Sequence, residues 1–181
     1  NFTQKFPGDF SENTMQRQTP EVLFCFIKPA EFQNTKLIDF NENLSVEIGL
    51  GALENDKAFL VAQNLPSNVR TYATAYAGHQ FGNWAGQLGD GRAIYAGEII
   101  NENHQTEIQW KGAGATPYSR HAEGRAVLRS SIREYLMSEA MFHLGIPTTR
   151  ALSISKTGED VIRDIQYSGN PQKEQGAVVV R

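Results

Sequence analysis

The sequence predicts an α+β fold built on an antiparallel sheet with one long packed helix. Three observations carry this expectation. Residues 93–100 and 106–111 read as two strands joined by the turn-forming run Asn101-Glu102-Asn103-His104, a hairpin signal. Residues 125–144 then read as the longest helix, closed by Gly145 and Pro147. Further strand candidates follow at 151–155, 161–165 and 177–181. No internal repeat or low-complexity linker interrupts the chain, so one α+β unit accounts for it.

Taken in order, residues 1–35 are rich in Phe, Pro and polar side chains and lack periodicity. They predict an extended arm anchored by Phe2, Phe6, Phe10, Phe24, Phe26 and Phe32 rather than a helix-and-strand unit. The apolar positions Leu37, Ile38, Phe40, Leu44, Val46 and Ile48 predict a short helix over 36–50 that ends near Gly49. A second short helix is predicted over 56–64, capped by Asn55 or Asp56. Residues 72–86 crowd small and aromatic side chains together, which predicts an irregular, closely packed segment. These readings divide the chain into an arm with short helices over 1–70 and a lobe over 71–181.

Composition narrows the function. With 181 residues and 40% hydrophobic content, the chain can bury one ordinary core. Seventeen basic against twenty acidic side chains give a net charge of −3, so neither nucleic acid nor a membrane surface is an expected partner, and any basic site must be a local cluster. Cys25 is the single cysteine, which excludes an internal disulfide and a Cys-based zinc site. His79, His104, His121 and His143 show no metal-ligand spacing. No apolar run reaches membrane-spanning length, and Asn1-Phe2-Thr3-Gln4 does not begin a secretory signal. The chain opens without Met and closes on a strand-like Val178-Val179-Val180-Arg181, so a longer parent chain is expected.

Several residues could carry chemistry. Gly89-Asp90-Gly91-Arg92 fits a tight hairpin turn. It also fits an anion cradle, because glycine lets backbone N–H groups approach a phosphate and Arg92 adds a charged donor fork. Glu134 has Ser130, Ser131, Met137 and Ser138 as its helical neighbours, none of which neutralises a carboxylate, so its partner is long-range. Lys111, at the end of a strand among Trp110, Gly112 and Ala113, is the candidate; the alternative is an exposed Lys and a solvated Glu. The apolar positions of the helix spread over most of its circumference, which predicts burial on several sides. Arg125, Arg129 and Arg133 recur every four residues, a like-charge stack costing about a few tenths of a kcal/mol per pair. Either acids such as Glu123 and Glu139 or a bound phosphate chain would compensate it. Glu123 and Gly124, directly before the helix, read either as an ordinary first-turn acid or as an acceptor for a ligand hydroxyl or amine. His79 reads as a packed, hydrogen-bonded histidine, and no serine sits in a GxSxG context.

The blocks AYAGHQFGNWAGQLGDGRA and IQWKGAGATPYSRHAEGRAVLRSSIREYLMSEAMFHLGIPTTRAL closely resemble the selenoprotein O family, also called SelO or YdiU proteins. Weaker agreement reaches back to PGDFSEN and forward to GAVVVR. These proteins are pseudokinase-fold protein adenylyltransferases, so the resemblance implies a kinase-like amino-terminal lobe. That lobe would bind ATP in a flipped orientation and expose the α-phosphate for AMP transfer to Ser, Thr or Tyr hydroxyls of proteins. By position, it implies that Gly89, Gly91 and Arg92 meet the phosphates, that Lys111 and Glu134 are the strand lysine and helix glutamate, and that Arg181 is the first of two nucleotide-binding arginines. Glu123-Gly124 stands where the family has Asp-Gly, which keeps the charge and lengthens its reach. The family's catalytic Asp and its Mg²⁺ ligands come from a second lobe with no counterpart here, so this chain alone is expected to be inactive or nearly so. The alternatives are a kinase-like phosphotransferase and a non-catalytic nucleotide sensor. The expected compartment is the bacterial cytoplasm, with mitochondria as the alternative.

Overall fold

The computed structural model describes residues 2–100 and 105–181; the Asn101–His104 connector lies outside them. A largely antiparallel sheet of ten strands organises the described residues. In chain order these are β1 (Gly8–Asp9), β2 (Phe24–Phe26), β3 (Lys36–Phe40), β4 (Tyr72–Gln80), β5 (Asn83–Gly89), β6 (Ala93–Ile100), β7 (Gln105–Lys111), β8 (Ala126–Val127), β9 (Ser153–Arg163) and β10 (Gln172–Val180). They run side by side as β1-β2-β4-β6-β7-β10-β9-β3, with β5 added to β4 and β8 to β10. The helices are α1 (Phe2–Lys5), α2 (Glu42–Glu47) and α3 (Leu128–His143). The α+β class and its antiparallel sheet therefore follow the sequence reading.

Strand β10 shows how the core is split. Val178 and Val180 pack with Ile27, Leu60, Ile94, Trp110 and Leu152 on one face, whereas Val179 packs with Tyr135, Ala151 and Ile154 beneath α3 on the other. Successive strand side chains point to opposite faces, so a strand covered on both sides reads as an unbroken apolar run. The helix approaches through Ser131, Tyr135 and Ser138, its buried positions. Ser138 donates to the Tyr135 carbonyl at 2.9 Å and accepts from the Ala151 N–H at 3.2 Å. The expected burial on several sides does not occur: Ile132, Leu136, Met137 and Phe142 are exposed, because the sheet covers only one face of the helix.

Four local expectations are corrected. The 36–50 run is strand β3 followed by α2, because Asn41 interrupts it: its side chain accepts from the Leu44 N–H at 3.0 Å and starts the helix, while Lys36–Phe40 pairs with β9. The expected 56–64 helix is a single 3₁₀ turn, Phe59–Val61, preceded by another at Leu53–Asn55, and Asp56 accepts from the Phe59 N–H at 3.0 Å. Residues 72–86 lie in the β4–β5 hairpin, not an irregular segment. Its tip residues Phe81 and Gly82 both have positive φ, 52° and 80°, as a two-residue turn between twisted strands requires. The candidates at 151–155 and 161–165 belong to one strand, β9, because β10 continues back to Gln172 and pairs with the polar Lys156–Asp160 stretch across a bulge.

The amino-terminal arm contributes more than expected. It places β2 beside β4, and Phe24 and Phe26 are buried with Tyr72. Phe2 stacks on Tyr72 at 5.8 Å, and Arg70 lies over the Phe26 ring at 3.7 Å. Asp9 accepts from Arg17 at 2.6 Å. That hydrogen bond, seconded by the Ser11 N–H, lowers its pKa to about 2. A carboxylate depressed on folding stabilises the fold above its unfolded pKa of about 3.9 and loses that contribution as pH falls through its folded value. Asp9→Asn should therefore be less stable than the parent at pH 5 and approach it near pH 2, as read from urea midpoints at the two pH values.

Candidate functional site

Lys111 closes β7 in the middle of the sheet, opposite Ala93 of β6 and Val179 of β10. From there its ammonium forms an ion pair with the Glu134 carboxylate of α3, the partner expected from sequence. The other oxygen of Glu134 accepts from Arg181 at 2.9 Å, and the Arg181 Nε donates to the Gln109 side chain at 2.6 Å. One carboxylate thus braces two cations, and all three side chains keep between 22% and 25% of their surface open, enough to meet a ligand. Sequence reasoning missed the second contact, because it depends on the β7–β10 register that sets Arg181 against Gln109.

The Gly89–Arg92 turn joins β5 to β6 and is held from below. The Asp90 carboxylate accepts from the Thr74 N–H at 3.0 Å and from the Thr74 hydroxyl. Burial raises the pKa of Asp90 against the opposing pull of those bonds. Thr116 donates to the Asp90 carbonyl at 2.7 Å, and Ser119 donates to the Gly91 carbonyl. Residues 116–119 lie so close that a Cβ on Gly91 would sit 2.7 Å from the Tyr118 carbonyl, and one on Gly89 would strike the Tyr118 ring. The tight turn is real, then, and close backbone packing requires its glycines. The Arg92 carbonyl accepts from the Gly112 N–H at 2.7 Å, whereas its exposed side chain has no ion pair among the described residues.

Glu123 is not a first-turn acid, since β8 intervenes before α3. It accepts instead from Arg163, which also donates to the Arg125 carbonyl at 3.2 Å. Burial alone would raise the pKa of Glu123, but the hydrogen bond from Arg163 and the nearby Arg125 charge leave it lowered. Acids of β9 and β10 answer the arginine series: Arg125 pairs with Glu159 at 3.0 Å and Arg129 with Glu174 at 2.9 Å. Glu139 is taken by Arg150 at 2.7 Å, while Arg133 is exposed without an ion pair among the described residues. His79, expected to be packed, is instead exposed and meets the exposed Trp84 edge-on, with ring centroids 5.2 Å apart.

These parts surround a cavity of about 800 Å³. Gly89, Gly91 and Gly124 lie on its wall, together with six cations: Arg92, Lys111, Arg120, Arg125, Arg163 and Arg181. Asp90 is the one carboxylate on that wall, and it is turned to Thr74. Glu123 pairs with Arg163 and is not on the lining. Arg120 and Arg163 were not singled out in the sequence. Arg163 closes a strand 40 residues from its partner Glu123, which leaves no local signal, whereas Arg120 lay within the recognised SRHAEGR block. Four of these cations are paired, Lys111 and Arg181 with Glu134, Arg125 with Glu159 and Arg163 with Glu123, and Arg92 and Arg120 line the cavity without an ion pair among the described residues.

The family described as protein adenylyltransferase SelO matches residues 9–181. The chain belongs to this family. Relatives include the protein nucleotidyltransferases YdiU of Cytophaga hutchinsonii, 51% identical, and of Flavobacterium johnsoniae, 50% identical; each alignment covers 99% of this chain and 35% of the relative. That of Tolumonas auensis is 49% identical over 99% of this chain and 36% of its own length. The SelO-family chain thus spans about a third of the length of these relatives. Among its described residues no helix is long and apolar enough to cross a membrane.

Proposed function

We propose that the cavity holds ATP, and that the longer protein transfers AMP from it to Ser, Thr or Tyr hydroxyls of other proteins. The supporting observation is the gathering of six cations around one cavity, with Arg92 and Arg120 free of ion pairs among the described residues and Lys111 and Arg181 sharing the single Glu134 carboxylate. On this reading residues 71–181 form a kinase-like nucleotide-binding lobe, and residues 1–70 brace it. Lys111, Arg181 and Arg92 neutralise the phosphates, Gly89 and Gly91 let the turn approach them, and Glu134 keeps Lys111 and Arg181 in place. Gly124 lines the nucleotide pocket, and Glu123 reaches the ligand after leaving Arg163.

Transfer requires the acceptor oxygen to bond to the α-phosphorus, pyrophosphate to leave, and a base to take the hydroxyl proton. Among the described residues no three His, Cys, Asp or Glu side chains gather to hold a metal, and Asp90 is committed to Thr74. These residues therefore do not fit a Mg²⁺ clamp. We accordingly assign nucleotide binding to this chain and catalysis to the longer protein, and we place that protein in the bacterial cytoplasm.

The test combines calorimetric titration of this chain with ATP and incubation of the longer protein with protein acceptors and ATP labelled at the α- or γ-phosphate. Binding, with label entering protein only from the α position, supports the reading. Label entering only from the γ position would instead establish a phosphotransferase, and binding without incorporation a nucleotide sensor.

A further inference from the structure

The β9–β10 hairpin gives the cavity two ends. Val180, next to Arg181, pairs with Ser153, whereas Gln172 at the start of the same strand pairs with Arg163. Gln172 and Val180 are eight positions apart, roughly 26 Å of strand at about 3.3 Å per step. Arg181 and Arg163 nevertheless line the same cavity, so it can accept an extended ligand with chemically different halves. The Arg181 end holds Lys111 and the glycine turn. Tyr76 belongs to that end as well, within electrostatic reach of Asp90, Arg120 and Arg181.

The Arg163 end carries a different group. Tyr167 lines the cavity there with 94% of its surface exposed and φ at 52°, a left-handed backbone that a bulky side chain rarely adopts. The turn beneath it is built to hold that conformation. The Asp164 carboxylate accepts from the Ser168 and Gly169 N–H groups at 3.0 and 2.7 Å, and the Asp164 carbonyl accepts from the Tyr167 N–H at 3.3 Å. An aromatic plane left open at one end of a cation-lined cavity suits a flat π-system joined to a polyanion.

We propose that Tyr167 is the base-binding residue of the site, stacking on the nucleobase of the nucleoside triphosphate while Lys111 and Arg181 hold its phosphates. This rests on the nucleotide reading above. Stacking uses the face of the base, so Tyr167 contributes affinity for nucleotides over bare polyphosphate.

The experiment compares ATP with inorganic tripolyphosphate, each titrated into the parent chain, Tyr167→Gly and Tyr167→Phe. Glycine removes the ring and suits the left-handed backbone, so the variant should fold. The expected result is that Tyr167→Gly binds ATP about tenfold more weakly, binds tripolyphosphate as before, and that Tyr167→Phe restores ATP affinity. Unchanged ATP affinity in Tyr167→Gly, or an equal loss for both ligands, overturns the base-binding role while leaving the phosphate site standing. A parent chain that binds neither ligand overturns both.

Discussion

Lys111→Ala should weaken ATP binding to this chain, and AMP transfer by the longer protein, by roughly a hundredfold or more. The ammonium sits at the junction of β6, β7 and β10, and its only partner among the described residues is Glu134. Removing it takes one cation from the cavity and also frees a Glu134 oxygen. The remaining carboxylate would then draw on Arg181 alone, holding that guanidinium away from a phosphate. Loss of charge and retention of Arg181 act in the same direction, so the effect should exceed that of losing one surface cation. Calorimetry with ATP and incorporation of α-labelled nucleotide measure it, with a thermal melt to show that the variant is folded. Affinity within a factor of two of the parent would remove Lys111 from its assigned role.

Gly124→Ala should destabilise the fold by about 3 kcal/mol or more, and abolish nucleotide binding where the protein still folds. Gly124 has φ at 73°, and its carbonyl accepts from the Gly114 N–H at 3.2 Å. An added Cβ would fall on the Gly114 carbonyl and the Ala115 nitrogen, backbone atoms that cannot rotate aside. The loop they belong to also carries Thr116 and Ser119, which hold the Gly89–Arg92 turn, so the disturbance passes directly to the cavity. Gly145→Ala provides the control: φ there is 75°, but nothing lies within 4 Å of its Cβ position, so only the backbone cost of about 1–2 kcal/mol is expected. Urea unfolding of both variants separates the two contributions. Equal midpoints would mean that the Gly114–Gly124 contact does not constrain the loop.

Legibility in the sequence followed the range of the interaction concerned. Strands 93–100 and 106–111 and the helix ending at Gly145 were readable because hydrophobic pattern, turn residues and a glycine stop act over a few positions. Asn41 was equally local and could have divided β3 from α2, since it caps the helix in the manner of its residue type. The β4–β5 hairpin was obscured because its small residues carry little hydrophobic alternation, although Phe81-Gly82 at the tip supplies a turn glycine. The merging of two strand candidates into β9 was not readable at all, because the polar Lys156–Asp160 segment is kept extended by β10.

By itself, the sequence determined the α+β class, the family and the long helix, and named Lys111 as the candidate partner of Glu134 against the alternative of two solvated charges, because motif blocks and unmatched charges are properties of neighbouring positions. Tertiary structure alone decided that Arg181 shares Glu134 and leans on Gln109, 72 residues away, that Glu123 is held by Arg163, and that β9 and β10 supply the acids for Arg125 and Arg129. Ion pairs and hydrogen bonds depend on distance in space, and strand register, which no local pattern encodes, sets those distances.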